Sequence, residues 1–220
     1  DEILRAVRPG DPDAIVTLVV DMVGQLVERH RGAPLAGVGV GCAGVVDAAG
    51  VVRVSPNIVG LVEFPLRDRL CMALGERGLE APVVVDNDAT MATVAEARTG
   101  AAVDVDDVVY VSLGTGIGAG FVIDGAIRRG ANGAAGEVGH MTVVHDGLPC
   151  VCGRRGCWEQ YASGAALNRL GVAAARDGRL PWALERVGGD PAAVDSALVV
   201  AGVVAGDPHS VAVLDTLAHW

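Results

Sequence analysis

The sequence predicts an α/β protein with two lobes and a cleft between them. Three observations support this prediction: helical and strand patterns alternate along the chain, glycines stand singly or in short motifs, and the acidic stretch VDVDD separates two such blocks. A chain of 220 residues that is 51% hydrophobic is long enough for one or two cores. We place the boundary near residue 99, with a smaller lobe at residues 1–98 and a larger lobe at residues 99–220.

The first lobe begins with a strongly patterned helix. Asp11 is its predicted N-cap, Pro12 its first residue and Gly32 its stop, and apolar residues recur between them every three or four positions. Short valine-rich runs are predicted strands: Leu35–Gly41, Val51–Val54 and Val83–Val85. Asp88 is predicted to cap a second helix that runs to Arg98.

The second lobe begins with two apolar strands joined by a glycine turn. The predicted strands are Val108–Leu113 and Gly118–Ile123. Asp124-Gly125 is typical of a hairpin turn, which leads into a third strand at Ala126–Arg129. From about Ser163 onward the patterns are mostly helical.

Charge and hydropathy argue against two classes of function. The net charge of −10 opposes nucleic-acid binding by this segment, because such binding depends on Lys and Arg neutralising phosphates. The longest uncharged apolar run, Val108–Ile123, is interrupted by four glycines and is too short to span a bilayer. No signal peptide opens the sequence, so we expect a cytoplasmic protein without membrane contact.

Three of the five cysteines lie in one short stretch, PCVCGRRGCWE. Cys150, Cys152 and Cys157 form a C-x-C-x4-C pattern, and His140 lies ten residues before the first of them. Thiolates and imidazole are preferred ligands of zinc, and four such ligands leave no open position on a tetrahedral ion. The spacing therefore predicts a structural Zn²⁺ site.

Buried thiols or disulfides are the alternatives to this zinc site. The odd number of cysteines, the lack of a signal peptide and the strain of a C-x-C bridge all disfavour disulfides. Zinc would clamp the loop that carries Glu137 and Glu159, so that both carboxylates point into the cleft. Cys42 and Cys71 stand alone and are expected to be core residues.

A glycine-rich stretch lies between the two strands of the second block. Its members are Gly114, Thr115, Gly116, Gly118 and Gly120. Glycines permit close backbone approach, so the amides could face a phosphate. A tight turn is an equally valid interpretation, because the stretch lacks a Walker lysine and the helix of a dinucleotide-binding motif.

Two further motifs have a structural and a functional interpretation. Asp86, Asn87 and Asp88 end a buried strand, where ligands bind in open α/β folds. Asp88 can equally be only the N-cap of its helix. Glu137 and His140 lie three residues apart, but the flanking glycines predict a loop, and taken alone both would be surface residues.

Together these motifs resemble one family, the ROK family of repressors, open reading frames and sugar kinases. The resemblance lies in four stretches, which are GCAGVVDAAGVVRVSPN, DNDA, LGTGIGAGFVIDGAIRRGANGAAGEVGH and CVCGRRGCWE. It runs from about Leu35 to Gly164 and is closest to glucokinases of the actinobacterial type. It implies the actin-like ATPase (ribonuclease H-like) fold.

The resemblance also implies a role for each motif. Asp88 would be the general base. The residues near the sugar would be Gly44, Asn57, Asn87, Glu137, His140 and Glu159. The second phosphate loop would be Gly114, Thr115, Gly116 and Gly118. Zinc would be held by His140, Cys150, Cys152 and Cys157, with the second imidazole nitrogen of His140 facing the sugar.

The implied function is an ATP-dependent kinase that phosphorylates the 6-hydroxyl of glucose or a related hexose. Its cofactors would be ATP, Mg²⁺ and structural zinc, and a homodimer or homotetramer is expected. The alternatives are a sugar-responsive transcriptional regulator, whose DNA-binding domain would lie outside this chain, and a noncatalytic zinc-stabilised scaffold. The choice of hexose, and of ATP or polyphosphate as donor, stays open.

One departure from the family pattern concerns the phosphate site. Family kinases carry an Asp-x-Gly-x-Thr loop on their first hairpin and an adenosine-binding glycine motif near the C-terminus, and neither is found in this sequence. The sequence also begins with Asp and ends without a helix stop. We therefore expect it to be the central part of a longer protein and to be inactive as a kinase by itself.

Overall fold

The computed structural model describes residues 2–3, 10–30, 32–56 and 58–220. The helices are α1 (Pro12–Arg29), α2 (Leu66–Glu76), α3 (Asp88–Thr99), α4 (Glu159–Ala162), α5 (Gly164–Arg176), α6 (Pro181–Arg186), α7 (Ser196–Val204) and α8 (Pro208–Ala218). The strands are β1 (Val38–Cys42), β2 (Val45–Val46), β3 (Val52–Val54), β4 (Val62–Phe64), β5 (Val83–Asn87), β6 (Val108–Leu113), β7 (Ile117–Ile123) and β8 (Ala126–Ile127). Short 3₁₀ turns occur at Val138–His140 and Pro191–Ala193.

The chain divides into two compact units. Unit 1 comprises Asp1–Tyr110 and Ala119–Gly136, and unit 2 comprises Val111–Gly118 and Glu137–Trp220. This division differs from a single boundary near residue 99, because residues 119–136 pack within unit 1. A Cβ at Gly120, for example, would overlap the hydroxyl of Thr93.

The core of unit 1 is built on the parallel pair β1 and β5. Their register runs from Val38 opposite Val83 to Cys42 opposite Asn87. Helices α1 and α2 contribute buried side chains to this core, which are Val16, Val20, Leu66, Leu70 and Leu74. The three leucines of α2 recur every four residues and so share one face of the helix. Cys71 lies off that face and is exposed, so its expected place in the core is wrong, whereas Cys42 is buried as expected.

The local signals at the start of α1 are confirmed. Asp11 Oδ1 accepts hydrogen bonds from the amides of Asp13 and Ala14, both at 3.1 Å, and Pro12 is the first helical residue. The helix ends at Arg29, three residues before the glycine that the pattern predicts as its stop.

The predicted cap of α3 is wrong by one residue. Asn87 is the N-cap, because its Oδ1 accepts the amide of Thr90 at 2.9 Å. Asp88 is the first residue of the helix, and its Oδ1 accepts the amide of Ala89 at 2.9 Å. Strand β5 accordingly extends to Asn87, two residues beyond its predicted end.

Two small sheets complete the strand structure. One is antiparallel and has the order β2-β3-β4, and the other has the order β6-β7-β8. Asp124 and Gly125 join β7 to β8 with φ values of +53° and +69°, which is the left-handed conformation of a type I′ hairpin turn. Strand β8 ends at Ile127, two residues earlier than predicted, and the chain turns away at Gly130 with φ +73°.

Unit 2 is mainly helical from Ser163 onward, as predicted. Its core includes Leu167, Leu180, Val199 and Val213. Helices α5 and α7 pack closely, since a Cβ at Gly171 would lie 2.7 Å from Val199 Cγ2. Within the described ranges no single helix is long and apolar enough to cross a membrane, and α7 with α8 meets that criterion only as a pair bent by 118°.

Candidate functional site

The candidate site residues of unit 1 lie where β1 and β5 end. The two strands are parallel, so their carboxyl ends meet at the same edge of the sheet. Asn87 Nδ2 donates to the carbonyl of Gly44 at 3.1 Å and lies 3.1 Å from Asp88 Oδ1. The structure thus brings together Gly44, Asn87 and Asp88. Asn57, the remaining candidate in this unit, lies outside the described residues.

A partly buried ion pair lies next to this strand end. Asp86 Oδ2 lies 2.7 Å from Arg129 Nε, and Asp86 Oδ1 accepts the amide of Asn87 at 2.9 Å. The partners are separated by 43 positions, so local sequence patterns do not predict their contact.

The thiol of Cys42 lies near the same edge but belongs to the core. Burial, and secondarily the negative charge of Asp88, raises the pKa of Cys42 to about 11. A thiol with so high a pKa is protonated at neutral pH, which is consistent with its place in the core.

In unit 2, the four predicted zinc ligands form one cluster. The ligand atoms of His140, Cys150, Cys152 and Cys157 all lie within 4.8 Å of one another. Cys150 Sγ is 3.5 Å from His140 Nδ1, and the sulfurs of Cys152 and Cys157 are 3.6 Å apart. All the cysteines are free, which removes the disulfide alternative.

These separations fit a tetrahedral zinc ion. With Zn–S near 2.3 Å and Zn–N near 2.0 Å, tetrahedral geometry places two sulfur ligands roughly 3.8 Å apart and a sulfur and a nitrogen roughly 3.5 Å apart. Zinc bound to this set would hold the loop between its ligands in place and would have no open position for chemistry.

The thiols of the cluster differ in their proton affinity. Burial raises the pKa of Cys150 to about 12. Burial opposes ionisation of Cys152 as well, but hydrogen bonds from the Arg154 backbone and the neighbouring thiols outweigh it and lower its pKa. Burial and the hydrogen bond with Cys152 raise the pKa of Cys157.

The acidic candidates of unit 2 lie on both sides of His140. His140 Nε2 is 3.6 Å from Glu137 Oε2, and His140 Nδ1 is 3.5 Å from Glu159 Oε1. Glu159 Oε1 also accepts the thiol of Cys150 at 3.2 Å. The side chains of His140 and Glu159 are each 13% exposed, so the interpretation of Glu137 and His140 as ordinary surface residues is wrong for His140. The Nδ1 side of the imidazole faces the thiols, and the Nε2 side faces Glu137.

Backbone packing explains why a glycine, Gly139, lies between Glu137 and His140. Residues 138–140 form a 3₁₀ turn where a loop is predicted. A Cβ at Gly139 would overlap the carbonyl of Ile117, so only glycine fits. The loop before the cysteines is tied to α4, since the amide of Leu148 donates to the Tyr161 hydroxyl at 2.7 Å. Helix α4 begins with Glu159, so this bond joins the cysteine loop to that carboxylate's helix.

The glycine-rich loop docks on the N-terminus of α5. The amide of Gly164 donates to the carbonyl of Gly114 at 2.8 Å, and that of Ala165 donates to Thr115 at 3.2 Å. Gly116 lies against Glu159, since a Cβ at position 116 would be 2.8 Å from Glu159 Oε2. The first amides of α5 therefore bind the loop, and the amide of Gly114 donates to the carbonyl of Gly116 at 3.0 Å within it.

The last two glycines of the motif lie in β7. Gly118 is half-buried in unit 2. Gly120 belongs to unit 1 and packs on Thr93, so its lack of a side chain serves packing rather than a ligand.

A mostly apolar pocket of about 860 Å³ opens beside this loop in unit 2. Gly114 and Thr115 form one wall, and residues of α5, α7 and α8 form the others. Asn168 and Ser196 supply polar groups, and Asn168 Oδ1 accepts the amide of Ser196 at 3.1 Å. Such a pocket, apolar with a few fixed polar groups, is typical of small-molecule sites.

Comparison with known proteins assigns the chain to a family. A sequence model of the ROK family matches residues 2–220. The chain belongs to the ROK family. It is 38% identical over 216 residues to a glucokinase of Streptomyces coelicolor, a match covering 96% of this chain and 65% of that protein. It is 33% identical over 165 residues to the xylose repressor of Bacillus subtilis, which covers 74% of this chain and 41% of the repressor.

A solved ROK structure confirms the fold. The ROK family glucokinase of Streptomyces griseus, crystallised with glucose and AMPPNP, has a TM-score of 0.87 and 37% sequence identity to this chain. The match covers 98% of this chain and 67% of that one. The predicted α/β class and actin-like ATPase fold are thus confirmed. The chain spans about two thirds of the length of the glucokinases that it matches.

Proposed function

We propose that the protein is an ATP-dependent sugar kinase that transfers the γ-phosphoryl group of MgATP to the 6-hydroxyl of glucose or a related hexose. The observation that carries the proposal is that Asn87 and Asp88, at the end of β5, have different structural roles. Asn87 caps α3, so the cap interpretation no longer accounts for Asp88. The 38% identity to a glucokinase over nearly the whole chain gives further support.

Asp88 is the proposed general base. A sugar hydroxyl is a weak nucleophile, and a carboxylate that accepts its proton as the phosphoryl group arrives lowers the barrier. Asp88 directly follows the last residue of β5, so the strand fixes the position of its backbone. The side-chain nitrogen of Asn87, Nδ2, lies 3.1 Å from Asp88 Oδ1.

The remaining candidates are proposed sugar contacts. They are Gly44 through its backbone, Asn57, Asn87, Glu137, His140 and Glu159. A carboxylate can accept hydrogen bonds from two adjacent hydroxyls, and an epimer would leave one acceptor unpaired and buried, which disfavours the wrong sugar. His140 would offer Nε2 to the sugar while Nδ1 faces the thiols.

Zinc is the proposed structural ion of this enzyme. When bound by His140 and the three cysteines, it supplies a rigid closed coordination sphere and no open site. The cysteines and His140 hold the segment from Glu137 to Glu159, and so fix the carboxylates at both of its ends.

MgATP is the proposed second substrate. The loop residues Gly114, Thr115, Gly116 and Gly118 would lie against its phosphates, and the pocket of about 860 Å³ beside them would take the nucleoside. Asn168 and Ser196 offer polar groups for that end of the molecule.

A sugar-responsive regulator is the second candidate function. The identity of 33% to a xylose repressor supports it, because sugar recognition and zinc binding serve a regulator equally well. That match covers 74% of this chain, whereas the glucokinase match covers 96% at higher identity, so we favour the kinase.

A coupled assay of the full-length protein against a sugar panel tests the proposal. The panel contains glucose, mannose, N-acetylated hexosamines and xylose, each with MgATP and, in a separate series, with polyphosphate. We expect sugar-dependent ADP formation with glucose or a close relative, and none without sugar. Sugar binding by calorimetry without turnover on any member of the panel would contradict the kinase and favour the regulator.

A further inference from the structure

The Asp86–Arg129 pair lies next to the proposed catalytic residues, because Asp86 directly precedes Asn87 and Asp88 in the chain. The side chain of Asp86 is 9% exposed and that of Arg129 is 38% exposed. Both carboxylate oxygens of Asp86 are engaged, since Oδ2 accepts Arg129 Nε at 2.7 Å and Oδ1 accepts the amide of Asn87 at 2.9 Å.

A buried carboxylate needs such a partner. Removing a carboxylate from water is costly unless it is paired and hydrogen-bonded, so the loss of its partner leaves that cost uncompensated. Without Arg129, the Asp86 carboxylate would lose its ion-pair partner and be free to turn toward water, which would disturb its hydrogen bond from the backbone amide of Asn87.

That amide begins a chain of contacts that ends at Asp88. The side chain of Asn87 caps α3 through the amide of Thr90, and its Nδ2 reaches both Gly44 O and Asp88 Oδ1. A displacement of the Asn87 backbone would therefore move three groups together: the cap of α3, the side-chain amide of Asn87 and the carboxylate of Asp88.

The other end of the pair sits on a tightly packed loop. The carbonyl of Arg129 accepts the amide of Ala135 at 3.1 Å, which closes the loop. A Cβ at Gly133 would overlap the carbonyl of Val46, and the carbonyl of Gly136 accepts the amide of Ala119 at 2.9 Å. Close packing and backbone hydrogen bonds within unit 1 thus hold the backbone around Arg129, which suits a residue that positions others.

We propose that Arg129 is a positioning residue, which acts through Asp86 to fix Asn87 and Asp88 for phosphoryl transfer. This inference rests on the proposed kinase function. Arg129 itself does not touch the reacting groups in this role. Its guanidinium holds the carboxylate of Asp86, and that carboxylate holds the backbone of Asn87.

The test compares Arg129→Gln, Arg129→Lys, Asp86→Asn and the double variant Arg129→Gln/Asp86→Asn in the full-length protein. Arg128→Gln is the matched control, because it removes the same charge from the adjacent residue, which contacts Ile123 O and Asp124 instead. We expect Arg129→Gln to lower kcat by about 10- to 100-fold, the scale of a misplaced catalytic group, with the KM for MgATP within about twofold of wild type. Arg129→Lys should recover part of the loss, and the control should match wild type.

The double variant separates positioning from independent effects. Residues that act as one pair give non-additive losses, so the double variant should lose no more activity than the worse single variant. The inference would be overturned if the loss in the double variant equalled the product of the two single losses. It would also be overturned if the loss disappeared once activity is expressed per folded molecule.

A readout independent of turnover keeps the inference separate from the proposed function. Amide hydrogen exchange by NMR should show faster exchange at Asn87 and Thr90 in Arg129→Gln but not in Arg128→Gln. If wild type phosphorylates no sugar, the kinase proposal fails while this exchange result still decides whether Arg129 orders the strand end. Unchanged exchange at both amides would overturn the positioning role.

Discussion

Gly44 shows why single residues at the end of β1 tolerate little change. Its φ is +117°, a conformation that residues with a side chain rarely adopt. A Cβ at this position would also overlap Val54 O and lie 2.8 Å from Ser55 Cα. Its carbonyl accepts Asn87 Nδ2, so the strain of any side chain would reach the candidate site.

We therefore expect Gly44→Ala to lower the free energy of unfolding by about 2–4 kcal/mol, from backbone strain and steric overlap together. Denaturant unfolding measures this change. Gly178→Ala is the matched control, because Gly178 also has positive φ, +69°, but a Cβ added there would meet no atom within 4 Å. The control should lose only about 1 kcal/mol. Equal losses in the two variants would contradict the steric explanation.

The sequence predicts the roles of individual polar residues unequally well. The capping aspartate Asp11 acts on amides two and three positions away, so its pattern is visible in the sequence. The cap of α3 is misassigned because Asn87 and Asp88 are both good N-cap residues, and only the backbone geometry selects Asn87. The Asp86–Arg129 pair joins residues 43 positions apart and leaves no local signal.

At the scale of elements, the cluster of His140 and three cysteines is the part of the candidate site that sequence predicts best. Its three cysteines lie within one turn-rich segment, so their spacing alone brings the sulfurs together. The loop is then fastened to α4 by the bond from Leu148 to Tyr161. The limits of strands are predicted less well, because β5 extends two residues beyond its predicted end and β8 ends two residues before its predicted end.

Loss of one zinc ligand should affect both stability and sugar affinity. We expect one zinc per chain in protein purified without added metal, and Cys152→Ser should lose most of it, melt at lower temperature and bind sugar roughly tenfold more weakly. The physical reason is that the segment with the four predicted ligands begins at Glu137 and ends at Glu159. Elemental analysis, thermal unfolding and calorimetry measure these effects.

Cys71→Ser is the control for this variant. Cys71 is an exposed thiol on α2 in unit 1, remote in sequence from the cluster. It should keep full zinc content and sugar affinity. Zinc-free protein that binds sugar as tightly as the zinc-loaded protein would show that the cluster does not position the carboxylates.

At the scale of the whole molecule, the described residues form two compact units, and each unit carries some of the candidate residues. Unit 1 holds Gly44, Asn87 and Asp88, and unit 2 holds the Cys3His cluster with its neighbouring carboxylates and the glycine-rich loop. The alternation of strands and helices predicts this α/β class. It does not predict the division between units, because residues 119–136 return to unit 1 through contacts with distant positions.

The proposed role of Asp88 as general base is best tested by the kinetic constants of Asp88→Asn, measured beside wild type in the full-length protein with glucose and MgATP. The substitution keeps the size of the side chain and removes the proton acceptor. We expect kcat to fall by about 10²- to 10⁴-fold, the usual contribution of a positioned acid–base group, while the glucose KM changes little. A kcat within a few-fold of wild type would contradict this role, because Asp88 would then be an ordinary first-turn residue of α3.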